Sequence, residues 1–221
     1  MAAPAQSTLT FHGGAGSVTG ANFLLTMAPT TSGGRPLRLL VDCGLYQGGK
    51  IFENKNHDLF PYDPATIDYL FVTHAHLDHV GRIPYLVRHG FRGTIYSTAP
   101  TKEIAALILE DSLGVMGKEA RGTGQPLLYE PADITTALAR WQTFDYRTPF
   151  ILKEGEVTVI LHDAGHILGS AMYEIVRSDS RHERSERRIL FTGDLGNSPS
   201  PLLHDTEIVK GVNYLVMESV Y

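Results

Sequence analysis

The chain has 221 residues, 43% of them apolar and 19% charged, with a net charge of −5 and a single cysteine. That length supports a sizeable core, since a domain of about 150 residues already buries about 70% of its unfolded-chain surface. Ordinary apolar content excludes disorder as the main state, one Cys43 excludes a disulfide scaffold, and no run of about 18 apolar residues is present to span a bilayer. Met1 to Thr8 has neither a basic nor an apolar signal region, so the expectation is no signal peptide and a cytoplasmic location. The acidic balance argues against a globally basic nucleic-acid binder, but not against an enzyme that grips phosphates through metal ions.

In chain order, the first third reads as β-rich. Strands are expected at Ser7 to Phe11, Asn22 to Met27 and Leu37 to Val41, with a turn at Pro29 to Pro36. Ile67 to Thr73 is a near-continuous apolar run, the signature of a buried strand. A short helix is expected at Gly81 to His89 and a strand at Thr94 to Ser97. The middle reads as two helices. Thr101 to Leu113 carries Ile104, Leu107, Ile108 and Leu109 on an apolar face, and Pro131 to Phe144 carries Ile134, Leu138 and Trp141 at helical spacing. The Gly-rich stretch Gly114 to Gly124 reads as their link. The last third returns to strands at Glu156 to Ala164, Ala171 to Arg177, Arg188 to Thr192 and Asn213 to Met217. Strands with intervening helices point to an α/β layered domain.

The chemistry concentrates where the Ile67 to Thr73 strand runs into His74-Ala75-His76-Leu77-Asp78-His79, three His and one Asp within six residues. On an extended segment, alternate side chains share a face, so the imidazoles of His74 and His76 can reach one ion. Asp78 and His79 follow as the chain turns into a helix and bring a carboxylate and a third imidazole near a second ion. Imidazole with carboxylate suits Zn²⁺, with Mn²⁺ or Fe as alternatives. Two further segments place such side chains where a strand meets a loop: Leu161 to His166, and Ile189 to Asp194.

These phrases resemble the metallo-β-lactamase superfamily, whose hallmark is a His-x-His-x-Asp-His loop. More narrowly, the chain resembles its β-CASP ribonuclease branch. The supporting phrases are Gly14 to Asn22, Leu40 to Gly44, Phe71 to His79, Leu109 to Ser112, Asp163 to Ala171, Phe191 to Gly196 and Met217 to Tyr221. The resemblance implies an α/β fold, the αββα sandwich of the superfamily, filling residues 1–221. It implies that His74, His76 and His166 hold one metal ion and Asp78 and His79 a second, with Asp194 bridging the pair. Asp42 would support the metal-binding loop from behind, and Glu218 would orient a catalytic His. Family members continue after the Glu218-Ser-Val-Tyr221 phrase into an inserted β-CASP domain. That domain carries a general-acid His and a last ligand of the second metal. The expectation for this chain is therefore a fold without its C-terminal closing elements, without the β-CASP domain, and with weakened activity.

The implied function is a two-zinc hydrolase that cleaves single-stranded RNA, with Asp78, Asp194 and Glu218 as catalytic residues. The alternatives are hydrolysis of a small molecule such as a β-lactam or thioester on the same site, and a non-catalytic metal-binding fragment or interaction module. The last suggests a homodimer covering an unfinished sheet edge. Smaller features read more plainly. His204 falls in a Pro/Ser turn and reads as a surface residue rather than a substitute ligand. Gly13 to Gly20 reads as a tight hairpin loop, Arg181 to Arg188 as a solvated hairpin tip, and Cys43 as core. His12, His57, His89, His162 and His182 receive no metal role, although His12 and His162 lie near site loops in sequence.

Overall fold

A computed structural model describes residues 6–31, 33–49, 53–124, 126–152, 157–178 and 186–219. Two sheets face each other. The first has the order β1 (Thr8–Gly13), β2 (Asn22–Met27), β3 (Leu37–Val41), β4 (Tyr69–Phe71), β5 (Thr94–Ser97), β6 (Trp141–Thr143). Its first three strands are antiparallel neighbours, and from β3 onward the pairing is parallel. The second sheet runs β11 (Tyr214–Val216), β10 (Glu186–Phe191), β9 (Ala171–Ser178), β8 (Val157–Asp163), β7 (Phe150–Ile151). It is antiparallel except for the parallel β10–β11 pair. Helices α1 (Leu77–Val80), α2 (Ile83–Arg88), α3 (Ala99–Thr123) and α4 (Pro131–Ala139) complete the described regular structure, with two short 3₁₀ turns before β4.

Period-two alternation explains why the central strands read as unbroken apolar runs. Leu40 and Leu70 point to one core with Ile83, Leu86, Leu109 and Ile134 of the helices. Their neighbours Leu39, Val41, Tyr69 and Phe71 point to a second core with Val159, Leu161, Tyr173, Ile175 and Phe191 of the other sheet. A strand buried on both faces has no polar side to show. The outer face of the second sheet carries Ala164, Met172 and Leu190, which pack under Leu195, Val209 and Val212 from the long loop between β10 and β11. The described residues thus form helices on sheet on sheet, three layers of the expected αββα sandwich. No helix among them is long and apolar enough to cross a membrane.

Two helix boundaries differ from the sequence expectation. The Gly-rich stretch Gly114 to Gly124 is not a link: α3 runs on to Thr123 and ends at Gly124, whose φ of 73° closes the last turn. Interior glycines cost about 1 kcal/mol each relative to Ala. That is too little to break a helix that starts on a Thr98 cap and is seated on the core by Ala105 and Leu109. Leu107, expected on the apolar face, is 69% exposed. The second helix stops at Ala139 rather than Phe144, because Trp141 pairs with Ile95 as the edge of the first sheet. There its indole N–H donates to Ser97 Oγ at 2.8 Å. Helical spacing could not distinguish that tertiary use of Trp141 from one more helical turn.

The sheets are joined by a polar stitch. The fully buried Tyr173 hydroxyl of β9 lies 3.0 Å from the Val72 carbonyl and 2.9 Å from the Tyr96 carbonyl of the first sheet. It donates between strands that the hydrophobic core alone would let slide. Tyr173→Phe keeps the ring and removes the donor. We expect a loss of about 1–2 kcal/mol, seen in thermal unfolding as a fall of about 2–8 °C for a chain this long.

Candidate metal centre

The centre lies where β3, β4, β8 and β10 end. Each strand hands one or two polar side chains to the loop that follows it. After β3 the chain turns sharply at Asp42, a non-glycine residue with φ of 59° and no solvent exposure. Asp42 Oδ1 accepts from Thr73 N at 2.8 Å. Its Oδ2 accepts from Thr73 Oγ1 at 2.7 Å and from His79 Nδ1 at 2.8 Å. The Thr73 hydroxyl spends its one hydrogen on the carboxylate, so its oxygen is left to accept from His74 Nδ1, 3.1 Å away. Both imidazoles therefore turn Nε2 toward the centre. Close packing locks this loop in place. A Cβ on Gly44 would lie 1.6 Å from the Asp78 carbonyl oxygen, and one on Gly193 would lie 2.6 Å from Thr73 Cβ.

His166 arrives from the loop after β8. Ser170 Oγ accepts from His166 N at 3.0 Å, and the Gly169 carbonyl is held by Thr98 and Thr101 Oγ1 at 2.6 and 2.8 Å. Asp194 follows β10. Just beyond it, Leu195 N donates to Glu218 Oε1 at 2.6 Å. Glu218 thus clamps the Asp194 loop, its carboxylate engaged by a backbone amide beside the cluster.

Donor atoms of His74, His76, His166 and Asp194 all lie within 4.8 Å of one another. His76 Nδ1 is 3.0 Å from His74 Nε2 and 3.3 Å from His166 Nε2. Asp194 Oδ2 is 3.6 and 3.7 Å from the same two Nε2 atoms. A tetrahedral ion with ligand bonds of about 2.0–2.1 Å has ligand–ligand edges of about 3.3–3.4 Å, so this donor set fits such an ion. The other carboxylate oxygen, Asp194 Oδ1, is 3.3 Å from His79 Nε2, and Asp78 Oδ2 is 3.9 Å from it. Asp194 accordingly faces two donor groups, one with each oxygen.

Electrostatics separates the imidazoles. Burial, and then repulsion from the neighbouring His, holds His74 well below its ordinary value; burial leads the same lowering at His76. Both present lone pairs at neutral pH. Burial also opposes the charged form of His79, but Asp42 and Asp194 outweigh it and raise that imidazole to about 10. Burial opposes ionisation of Asp194 too, yet hydrogen bonding and charge from His79 hold it below the ordinary carboxylate range. Cys43 is core, as its sequence context implied, with burial pushing its thiol up to about 12.

Other expected residues lie apart from the cluster. His204 is exposed, as read from its turn. His12 packs its ring 4.9 Å from Tyr62, away from the donors. Gly13 to Gly20 is a tight hairpin loop between β1 and β2. Of the Arg181 to Arg188 run, Arg181 to Ser185 and with them His182 lie outside the described residues. The expected solvated tip does not extend to Arg188. That residue sits in β10 and pairs with the buried Glu174, which His162 Nε2 also meets at 2.8 Å. His162 Nδ1 lies 3.3 Å from Glu207, whose other oxygen pairs with Arg147 and accepts from Asp163 N. This charge network braces the base of the His166 loop. Glu174, Glu207 and Thr73 escaped sequence reasoning because single polar residues in strands and loops carry no motif; only Thr73, preceding the first His, offered a positional hint.

The layered α/β fold with these converging donors defines the class, and the chain belongs to the metallo-β-lactamase superfamily, whose domain it matches over residues 35–209. It is 35% identical over 209 residues, 95% of its length, to ribonuclease TTHA0252 of Thermus thermophilus. It is 34% identical over 196 residues, 83% of its length, to transcription termination factor FttA of Methanothermobacter thermautotrophicus. With endoribonuclease YSH1 of Gibberella zeae it shares 33% identity over 163 residues, 72% of its length. The chain spans 42%, 28% and 18% of these relatives respectively.

The raised His79 has a consequence for stability. Its folded value of about 10 exceeds the ordinary 6.5, so in metal-free protein its contribution is full below about pH 6.5 and is lost as pH rises through about 10. Thermal unfolding of the chelated protein should show stability falling over that window. In Asp42→Asn the slope should flatten, and the His79 ring resonances should titrate at lower pH than in the wild type.

Proposed function

We propose that this chain forms the metal-binding part of a nuclease that hydrolyses phosphodiester bonds of single-stranded RNA. The observation that carries it is the two-sided Asp194: one oxygen clusters with His74, His76 and His166, and the other meets His79, whose Nε2 also lies 3.9 Å from Asp78. The names of two relatives, a ribonuclease and an endoribonuclease, support RNA as the substrate class.

In this reading His74, His76 and His166 would hold one divalent ion and Asp78 and His79 a second, with Asp194 available to both. Imidazole-rich ligation favours zinc. Such ions supply Lewis acidity: they lower the pKa of a water and offset charge on the phosphoryl oxygens during in-line displacement. The chain's own residues do the rest. Asp78 directs a carboxylate at the attacking water and takes part in holding its proton. Asp42 keeps His79 in the tautomer that presents Nε2, since its carboxylate is committed to Nδ1. Glu218 fixes the backbone beside Asp194 and so would hold that carboxylate in place between the two donor groups.

The test pairs elemental analysis with cleavage of a fluorescent single-stranded RNA and, in parallel, a chromogenic β-lactam. We expect bound zinc, RNA cleavage abolished by chelation, and losses of at least about a hundredfold in His74→Ala and Asp78→Ala. RNA cleavage that survives both substitutions would sink the proposal. Turnover of the β-lactam without RNA cleavage would move the chain to the small-molecule reading. A second expectation concerns protons: because His79 carries an extra one in the metal-free protein, metal uptake near neutral pH should release protons. Calorimetry in buffers of different ionisation enthalpy reads this directly, and Asp42→Asn should reduce the number released.

A further inference from the structure

We propose that a hollow between the β1–β2 hairpin and the start of α2 is a binding site for a phosphate group, separate from the metal centre. The hollow has a volume of about 160 Å³, and its walls include His12, Asn22, Tyr46, Lys55, Phe60 and Arg82. A single water needs only about 10–15 Å³ of such space, so there is room for a polyatomic anion. No wall residue belongs to the metal cluster.

Arg82 makes the case. It is only 6% exposed, yet among the described residues no carboxylate lies within ion-pair distance of it. One terminal nitrogen, Nη2, donates to the Asp58 carbonyl at 2.6 Å. The guanidinium stacks 4.4 Å from the Phe60 ring and 5.2 Å from the Tyr85 ring. Among the described residues its buried Nε has no hydrogen-bond partner, and neither does the buried Nε2 of His12, another wall residue. A buried cation without a counter-charge is expensive, and so is a buried donor without an acceptor. Arg82 and His12 both line the hollow, so an anion bound there would bring a counter-charge within reach of the guanidinium.

The wall charges agree in sign. Lys55 and Arg82 outnumber the one acid, Asp58. A guanidinium pairs well with phosphate oxygens, and Lys55 brings a second cationic side chain to the same wall. The hollow is also tied to the metal loop by backbone. Arg82 N donates to the Cys43 carbonyl at 2.9 Å, and Ala21 N, beside Asn22, donates to the Asp78 carbonyl at 2.9 Å. The phosphate could be a free or terminal one, or an internal phosphodiester of a nucleic acid strand. The chemistry recognised is the same, and the site stands whether or not the chain cleaves RNA.

The test uses metal-stripped protein with chelator present, so the metal centre contributes nothing and the nuclease reading is not at stake. Inorganic phosphate is titrated by calorimetry and by ³¹P NMR. We expect saturable binding of one phosphate per chain, weakened at least about tenfold in His12→Gln and in Lys55→Ala and abolished in Arg82→Gln. Arg82 also supports the Asp58 carbonyl and two rings, so folding of that variant is checked by circular dichroism, and the other two carry the test if it fails. A short oligoribonucleotide with no terminal phosphate is then added as competitor. Displacement assigns the site to strand phosphodiesters, and lack of displacement assigns it to free or terminal phosphate. Absence of saturable phosphate binding in the wild type overturns the proposal, as does binding that His12→Gln and Lys55→Ala leave unchanged.

Discussion

The Asp42 carboxylate, sealed from solvent at a left-handed turn, is the contact on which the rest of the centre depends. It joins the end of β3 to the end of β4 through Thr73, and through His79 it reaches the first turn of α1. Removing one partner from such a buried group is severe, because the other is left charged without compensation. The backbone strain at Asp42 fits the same picture. A non-glycine residue holds a positive φ where surrounding contacts over-determine it, and here three hydrogen bonds do so.

From that anchor the geometry spreads outward. Thr73 passes the orientation to His74, and the close approach of Gly44 to the Asp78 backbone fixes how far α1 stands from β3. The opposite wall is held independently. Ser170, Thr98 and Thr101 bind the His166 loop, and Glu218 binds the Asp194 loop. Four donor-bearing segments are thus braced separately against two sheets, and Tyr173 ties those sheets to each other. Preorganisation of this kind means an ion need not pay to assemble its ligands.

Much of this was legible in the residues. The His-x-His-x-Asp-His phrase named its own chemistry, because ligand-type side chains at that density after an apolar strand have few other uses. Most strands were placed within a residue or two, since alternation and apolar runs are local signals. The failures were non-local. Trp141 sits at helical spacing from Ile134 and Leu138, yet it belongs to a strand because β5 offers it a partner. The Gly114 to Gly124 stretch looked like a link, yet a helix seated on the core absorbs the cost of its glycines. Arg188 looked like part of a solvated run, and only the facing strand reveals Glu174 beneath it.

The sequence by itself determined the family resemblance, the donor-type side chains available to a metal and the two-faced burial of the central strands, because those rest on residue identity and on a period-two backbone. Only the tertiary structure decided that Asp194 turns one oxygen to each donor group, that Glu218 grips a backbone amide, and that Arg82 is buried beside a hollow with no carboxylate among the described residues to pair with it. Those features depend on where strand ends from two separate sheets meet. That meeting is set by packing between residues far apart along the chain, which no local pattern encodes.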